Sequence, residues 1–242
     1  VGQPVTPAQV PLAGGGAHVI GTFLARPNRF VVEARLKDGE VVRAHMADRG
    51  RLVETLIPGV PICLVSRPGE HRATQWQAAA AQRSDGSWAS LDTLLPNRLM
   101  RMVLAHHLLP QLPPYTTVRP EVTIGSSRFD FGLDGTPPIV LEVKSAGRII
   151  AGTGLVPDAP SRRAARHVSE LILLAQSGYH AVLVIASQGI AERVAIDATI
   201  DPVLADTVRT AVTRGVQCVG VSAHFDLHGL RYVHDVPLVV NG

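Results

Sequence analysis

The sequence predicts an α/β protein of two domains, a small β-barrel followed by a mixed sheet flanked by helices. Three observations carry this. Up to about residue 90 the chain is a series of short β-rich runs broken by turn signals, and helical periodicity then begins abruptly at "LDTLLPNRLMRMVLAHHLLP". After residue 115 strand-like and helix-like segments alternate. At 242 residues and 46% hydrophobic content the chain can bury a core in each part.

Residues 1–16 are rich in Pro and Gly and close on "GGG", which reads as a flexible tail, so folded structure is expected from about His18. "HVIGTFLAR", "RFVVEARL" and "EVVRAHM" follow, separated by "PN" and "DG" turns, and then "VPICLVS" and "ATQWQAAAAQ", making five short strands. Between the third and fourth, "DRGRLVETLIPG" (residues 48–59) predicts a short helix capped by Asp48 and ended by Pro58-Gly59. Five strands with such an interruption suit an OB-like barrel over residues 17–90.

In the next segment Leu99, Met102, Val103 and Leu109 recur at helical spacing after a Pro-Asn start, which puts the domain boundary near Leu91 and the second domain over 91–242. Strands are expected near 117–124, 127–134 and 138–145, then a helix from about Ser161 to Gln176. The apolar strand "YHAVLVIAS", the helix "DPVLADTVRTAVTRG" and the strand "VQCVGVSA" complete an α/β layer.

Net charge is only +3, with a pI near 9.2, which permits an anionic partner such as nucleic acid without demanding one. Through Ser90 there are ten Lys+Arg against seven Asp+Glu, and thereafter thirteen against thirteen, so any sequence-independent grip on phosphate is expected in the first domain. Cys63 and Cys218 lie in separate apolar runs and read as small buried side chains. The first residues lack the charged start and apolar stretch of a leader, and no run approaches the ~20 apolar residues of a membrane span. A cytoplasmic protein with no membrane association and no small-molecule cofactor is expected.

The stretch "RFDFGLDGTPPIVLEVKS" (residues 128–145) has the alternation of two buried strands, yet carries Asp130, Glu142 and Lys144. Folded as an antiparallel hairpin centred on Thr136, it places Asp130 opposite Glu142. Alternation then sends Phe129, Phe131, Leu133, Leu141 and Val143 to one face, leaving the three charges together on the other. Two close carboxylates repel unless a positive charge sits between them, and hard Mg²⁺ or Mn²⁺ suits such oxygens. Lys144 could orient or deprotonate a water at such a site. Of 23 basic residues 21 are Arg, so a Lys here, whose pKa can shift as that of Arg cannot, is informative. The competing use of these residues is a solvated strand face with a cross-strand ion pair. Arg163, His167 and Glu170 share one face of the helix that follows. By contrast, His224 and His228 lie in a segment that follows a strand and contains a Gly turn, so they need not share a helical face and their spacing carries no ligand reading.

These residues resemble the sugar fermentation stimulation protein A (SfsA) family. The likeness runs through "HMADRGRLVETLIPG", "LDTLLPNRL", "SRFDF" with "LEVKS", and "VPDAPSRRAARHVSEL". It implies an N-terminal OB-like domain and a restriction-endonuclease-like C-terminal domain of the PD-(D/E)xK nuclease type. The resemblance assigns metal binding to Asp130 and Glu142, with Glu121 of "RPEVTIG" as a further acid, and assistance to the attacking water to Lys144. His167 would join them as a catalytic residue. Arg163 and Arg166 would meet the nucleic acid, although Ala164 and Arg166 stand where the family commonly has Gly and Lys. In the barrel, Asp48, Gly50 and Arg51 match the family segment, and Arg43, Arg49 and Arg51 would hold phosphates. Only Trp76 and Trp88 are candidates for stacking on bases. The expected function is DNA binding with Mg²⁺- or Mn²⁺-dependent phosphodiester hydrolysis. The alternative is a non-catalytic DNA-binding regulator linked to sugar metabolism.

Overall fold

The computed structural model describes residues 8–12, 17–48, 50, 52–53, 55–67, 69 and 73–240. The chain divides into two compact units, one of Val10–Leu95 with Phe225–Leu230, the other of the remainder. This differs from a single cut at Leu91, because the tip of a late hairpin is counted with the first unit. The expected tail is also structured in part. Gln9–Val10 form strand β1, and Ala8, Val10 and Leu12 are buried, since these apolar side chains can leave water without a long element to carry them.

In the first unit β2 (His18–Asn28), β3 (Val31–Arg35) and β4 (Val41–Met46) run as an antiparallel meander. β5 (Pro61–Ser66) pairs with β2 on its other side, and β6 (Trp76–Gln82) pairs with β5. Parallel pairing of β4 with β6 closes the five-stranded barrel, and β7 (Trp88–Ser90) adds to β6. Strict alternation in β4 buries Val42, Ala44 and Met46 and turns Arg43 outward. Four successive buried alanines, Ala78–Ala81, line β6 in place of bulk.

The short helix expected over 48–59 is not formed among the described residues. Leu52 has a left-handed backbone (φ 51°), which a continuing right-handed helix excludes, and a single turn closes from Leu56 N–H to Leu52 C=O. Asp48 caps no helix there. Its carboxylate accepts from Gly50 N–H at 2.7 Å, while Arg26 donates to the Asp48 carbonyl at 3.2 Å and to that of Gly50 at 2.5 Å.

The second unit is built on a seven-stranded sheet in the order β1-β16-β15-β13-β10-β9-β8. Its strands after β1 are β8 (Tyr115–Ile124), β9 (Ser127–Gly135), β10 (Ile139–Ala146), β13 (His180–Ser187), β15 (Gln217–Asp226) and β16 (Gly229–Val236). β8, β9 and β10 are antiparallel, whereas β10, β13 and β15 are parallel. The parallel pairs are spanned by α2 (Arg162–Gln176) and α3 (Pro202–Thr213), as parallel strands require a long crossover. Before them lies α1 (Leu95–Ala105), where the Pro-Asn start was expected. A second sheet, in the order β11-β12-β14-β17, comprises β11 (Arg148–Ile150), β12 (Thr153–Val156), β14 (Arg193–Ile196) and β17 (Leu238–Val239).

The core that carries α2 and α3 gathers Val140, Val168, Leu171, Leu183, Ile185, Leu204 and Val208. Ser161 caps α2 through Ala164 N–H, and Asp201 caps α3 through Leu204 N–H. The other oxygen of Asp201 accepts Ser161 N–H at 2.7 Å, so one buried carboxylate secures the start of both helices. No helix among the described residues is long and apolar enough to cross a membrane.

Candidate active site

The β9–β10 register runs from Ile139↔Leu133 to Leu141↔Phe131, which centres the hairpin on Thr136, and Asp130 and Glu142 are the next residues beyond the paired ones. There Val143 N–H donates to Asp130 Oδ2 at 2.8 Å. The other oxygen, Oδ1, accepts from Asn97 Nδ2 on α1 at 2.7 Å.

Glu142 is not on a solvated face. β10 lies inside the sheet with both faces covered, and Glu142 is 3% exposed. A single oxygen, Oε1, receives Lys144 Nζ at 2.5 Å and His167 Nδ1 at 2.7 Å. A carboxylate oxygen only accepts, so His167 donates to it through Nδ1–H. His167 is itself buried at 4%. It steadies Glu142 and does not stand over the site in solvent. Phe129, expected on the face of Leu141 and Val143, packs instead with Val140 and Val168, its ring 6.2 Å from that of His167.

Burial is the first cause holding the Asp130 carboxyl above the ordinary carboxylate value, and the charge of Glu142 is the second. The Val143 amide, Lys144 and Asn97 oppose them without cancelling them. A buried carboxylate beside a half-buried one that its charge disfavours is a hard donor set that a divalent cation relieves. Mg²⁺ and Mn²⁺ sites commonly use one or two carboxylates with waters and phosphate oxygens.

Glu121 is not gathered into this set. The register brackets it opposite Asp130, but its backbone is left-handed (φ 54°) and its side chain, 70% exposed, pairs with Arg128 at 3.5 Å. Among the described residues no group of three or more His, Cys, Asp and Glu side chains is arranged to hold a metal.

Of the basic residues expected at nucleic acid, Arg163 and Arg166 are exposed on the first turns of α2, and Arg166 lies 3.7 Å from Glu170. Glu170 thus meets Arg166 of its own helix through Oε1. Arg43 is exposed on the barrel, 3.6 Å from Glu33. Arg49 and Arg51 lie outside the described residues. Trp76 packs partly against the barrel core. Burial pushes the free thiols of Cys63 and Cys218 up to about 11.

A closed OB-type barrel followed by a mixed α/β domain, with an acidic pair and a lysine on adjoining strands, defines a class of two-part proteins. A family model described as the SfsA N-terminal OB domain matches residues 24–91, and one described as the sugar fermentation stimulation protein RE domain matches 94–229. The chain belongs to the sugar fermentation stimulation protein (SfsA) family. It is 40% identical over 237 residues to a sugar fermentation stimulation protein homolog of Chloroflexus aurantiacus, covering 96% of this chain and 90% of that one. It is 41% identical over 210 residues to the homolog of Moorella thermoacetica, covering 85% and 89%. A solved structure of Pyrococcus furiosus SfsA in complex with Ca²⁺ is similar at a TM-score of 0.82 and 28% identity, covering 95% of this chain and 99% of that chain.

Proposed function

We propose that this protein is a divalent-metal-dependent nuclease that hydrolyses phosphodiester bonds of nucleic acid, with DNA as the first polymer to test. The observation that carries the reading is Glu142, a carboxylate buried on an internal strand and shared by Lys144 and His167 beside Asp130. Burying ionisable groups in this way costs stability, and a hydrophobic replacement is often as stable or more so. Such clusters of titratable groups are characteristic of reaction centres.

Asp130 and Glu142 would hold the cation, as in the Ca²⁺ complex of the Pyrococcus relative a divalent ion is bound by a protein of this fold. A bound Mg²⁺ or Mn²⁺ supplies Lewis acidity toward a phosphoryl oxygen and lowers the pKa of a water. Lys144, 23% exposed at its side chain, is the member of the cluster that reaches toward solvent, and it would orient that water or accept its proton. His167 would fix Glu142 through Nδ1, and Arg163 and Arg166 would bind backbone phosphates. Arg43, Arg49 and Arg51 of the barrel complete the proposed phosphate-binding set.

The test is incubation with end-labelled single- and double-stranded DNA and RNA, in Mg²⁺, in Mn²⁺ and in chelator. Cleavage confined to the metal-containing reactions supports the nuclease and identifies its polymer. Binding with no cleavage under any condition would overturn it in favour of a regulatory DNA-binding protein.

A further inference from the structure

Asn97 occupies the first turn of α1, a different element from the hairpin, and reaches Asp130 Oδ1 at 2.7 Å. Resting on the metal-dependent reading above, we propose that Asn97 is a positioning residue that locks the Asp130 carboxylate in the orientation a divalent cation requires, acting through Asp130 and touching neither cation nor substrate.

Three features point this way. Asp130 is held at both oxygens by donors from separate elements, Asn97 Nδ2 on Oδ1 and Val143 N–H on Oδ2. Two anchors fix the plane of the group. An ionised carboxylate offers about four acceptor positions, so two remain in a fixed direction for a ligand.

The second feature is the kind of donor. This chain has 21 Arg, and a guanidinium at position 97 would hold Asp130 as firmly. It would also cancel the negative charge that a cation needs. A carboxylate there would add repulsion to an acid already raised by burial and by Glu142. A neutral amide orients the acid and leaves its charge available.

The third feature is the division of labour. Lys144 and His167 both donate to Glu142 Oε1, so they secure Glu142. Asp130, the other half of the pair, depends on Asn97 and one backbone amide for its direct anchors. Partners of metal-ligating carboxylates act on the metal through such orientation, and their loss commonly weakens metal affinity about 10- to 100-fold.

The experiment is a calorimetric Ca²⁺ titration of the full chain, wild type beside Asp130→Asn, Asn97→Ala and Asn97→Leu, with thermal midpoints recorded. Leu fills the volume of Asn without a donor, and Ala carries the same comparison should Leu pack badly. The metal-free proteins are also compared at the amide proton resonance of Val143, which reports the grip of Asp130 Oδ2 on that N–H. The expected result is that Asp130→Asn abolishes binding. The Asn97 variants should bind about 10- to 100-fold more weakly, with the Val143 resonance shifted and the folded state retained. Undiminished affinity in both Asn97 variants, while Asp130→Asn abolishes binding, would overturn the role of Asn97 and leave the metal reading standing. No Ca²⁺ binding by the wild type would overturn both.

Discussion

Asp130 is a carboxyl whose surroundings oppose its ionisation. Burial, and then the charge of Glu142, hold its carboxyl above the ordinary value of 3.8. A carboxyl raised by folding binds its proton more tightly in the folded state, so stability present below 3.8 is lost as pH rises through the folded value. Asn at this position cannot ionise, and the amide of Asn97 can turn over to accept from it while Val143 N–H is still satisfied. Asp130→Asn should therefore be more stable than wild type in urea denaturation at pH 7 without divalent ions, with the gap closing as pH falls toward 3.8. A gap that is constant with pH would contradict this. Asp130, Glu142 and Lys144 were legible because charges interrupting an apolar alternation are rare. Asn97 was visible only as a helix start, since nothing in a short polar residue announces a partner 33 positions away. The contact of His167 with Glu142 was not legible, nor was its burial, because a helical face carries no label saying which side meets the sheet.

At the scale of elements, the hairpin register was readable because alternating side chains and a Pro-rich turn admit one centre, near Thr136. α2 and α3 were readable as helix-like segments alternating with strands, and β13 from a continuous apolar run of the kind buried on both faces. The second sheet was not legible, because β11, β12, β14 and β17 are two to four residues long and too short to show a period. The helix expected over 48–59 failed because a cap signal and a Pro-Gly stop describe a turn equally well. Asp201 is the element-scale device on which the site depends, since α2 presents His167 and starts at a residue that Asp201 holds. Asp201→Ala removes the N-cap of α3 and the acceptor of Ser161 N–H together. It should cost about 2 kcal/mol in chemical denaturation, within the range measured for the removal of caps and buried partners. A cost within a few tenths of a kcal/mol of zero would show that water replaces both bonds.

At the scale of the whole molecule, the charge balance is nearly neutral and the basic excess lies before Ser90, so affinity for nucleic acid should rest on a few placed arginines and not on a broad field. Binding to a DNA duplex in chelator should then fall linearly in log affinity against log salt. Replacing Arg163 and Arg166 by Ala should reduce that slope by about one for each phosphate no longer neutralised. An unchanged slope would place the phosphates elsewhere. The function turns on whether the buried cluster around Glu142 performs chemistry. The most direct measurement is the single-turnover cleavage rate of wild type and Lys144→Ala on labelled DNA in Mn²⁺, with bound DNA measured in the same samples. A working nuclease centre predicts cleavage by wild type and a loss of about 100-fold or more in the variant, the scale of a proton-transferring group, with binding retained. Equal rates in the two proteins, or DNA bound by both and cleaved by neither, would contradict it.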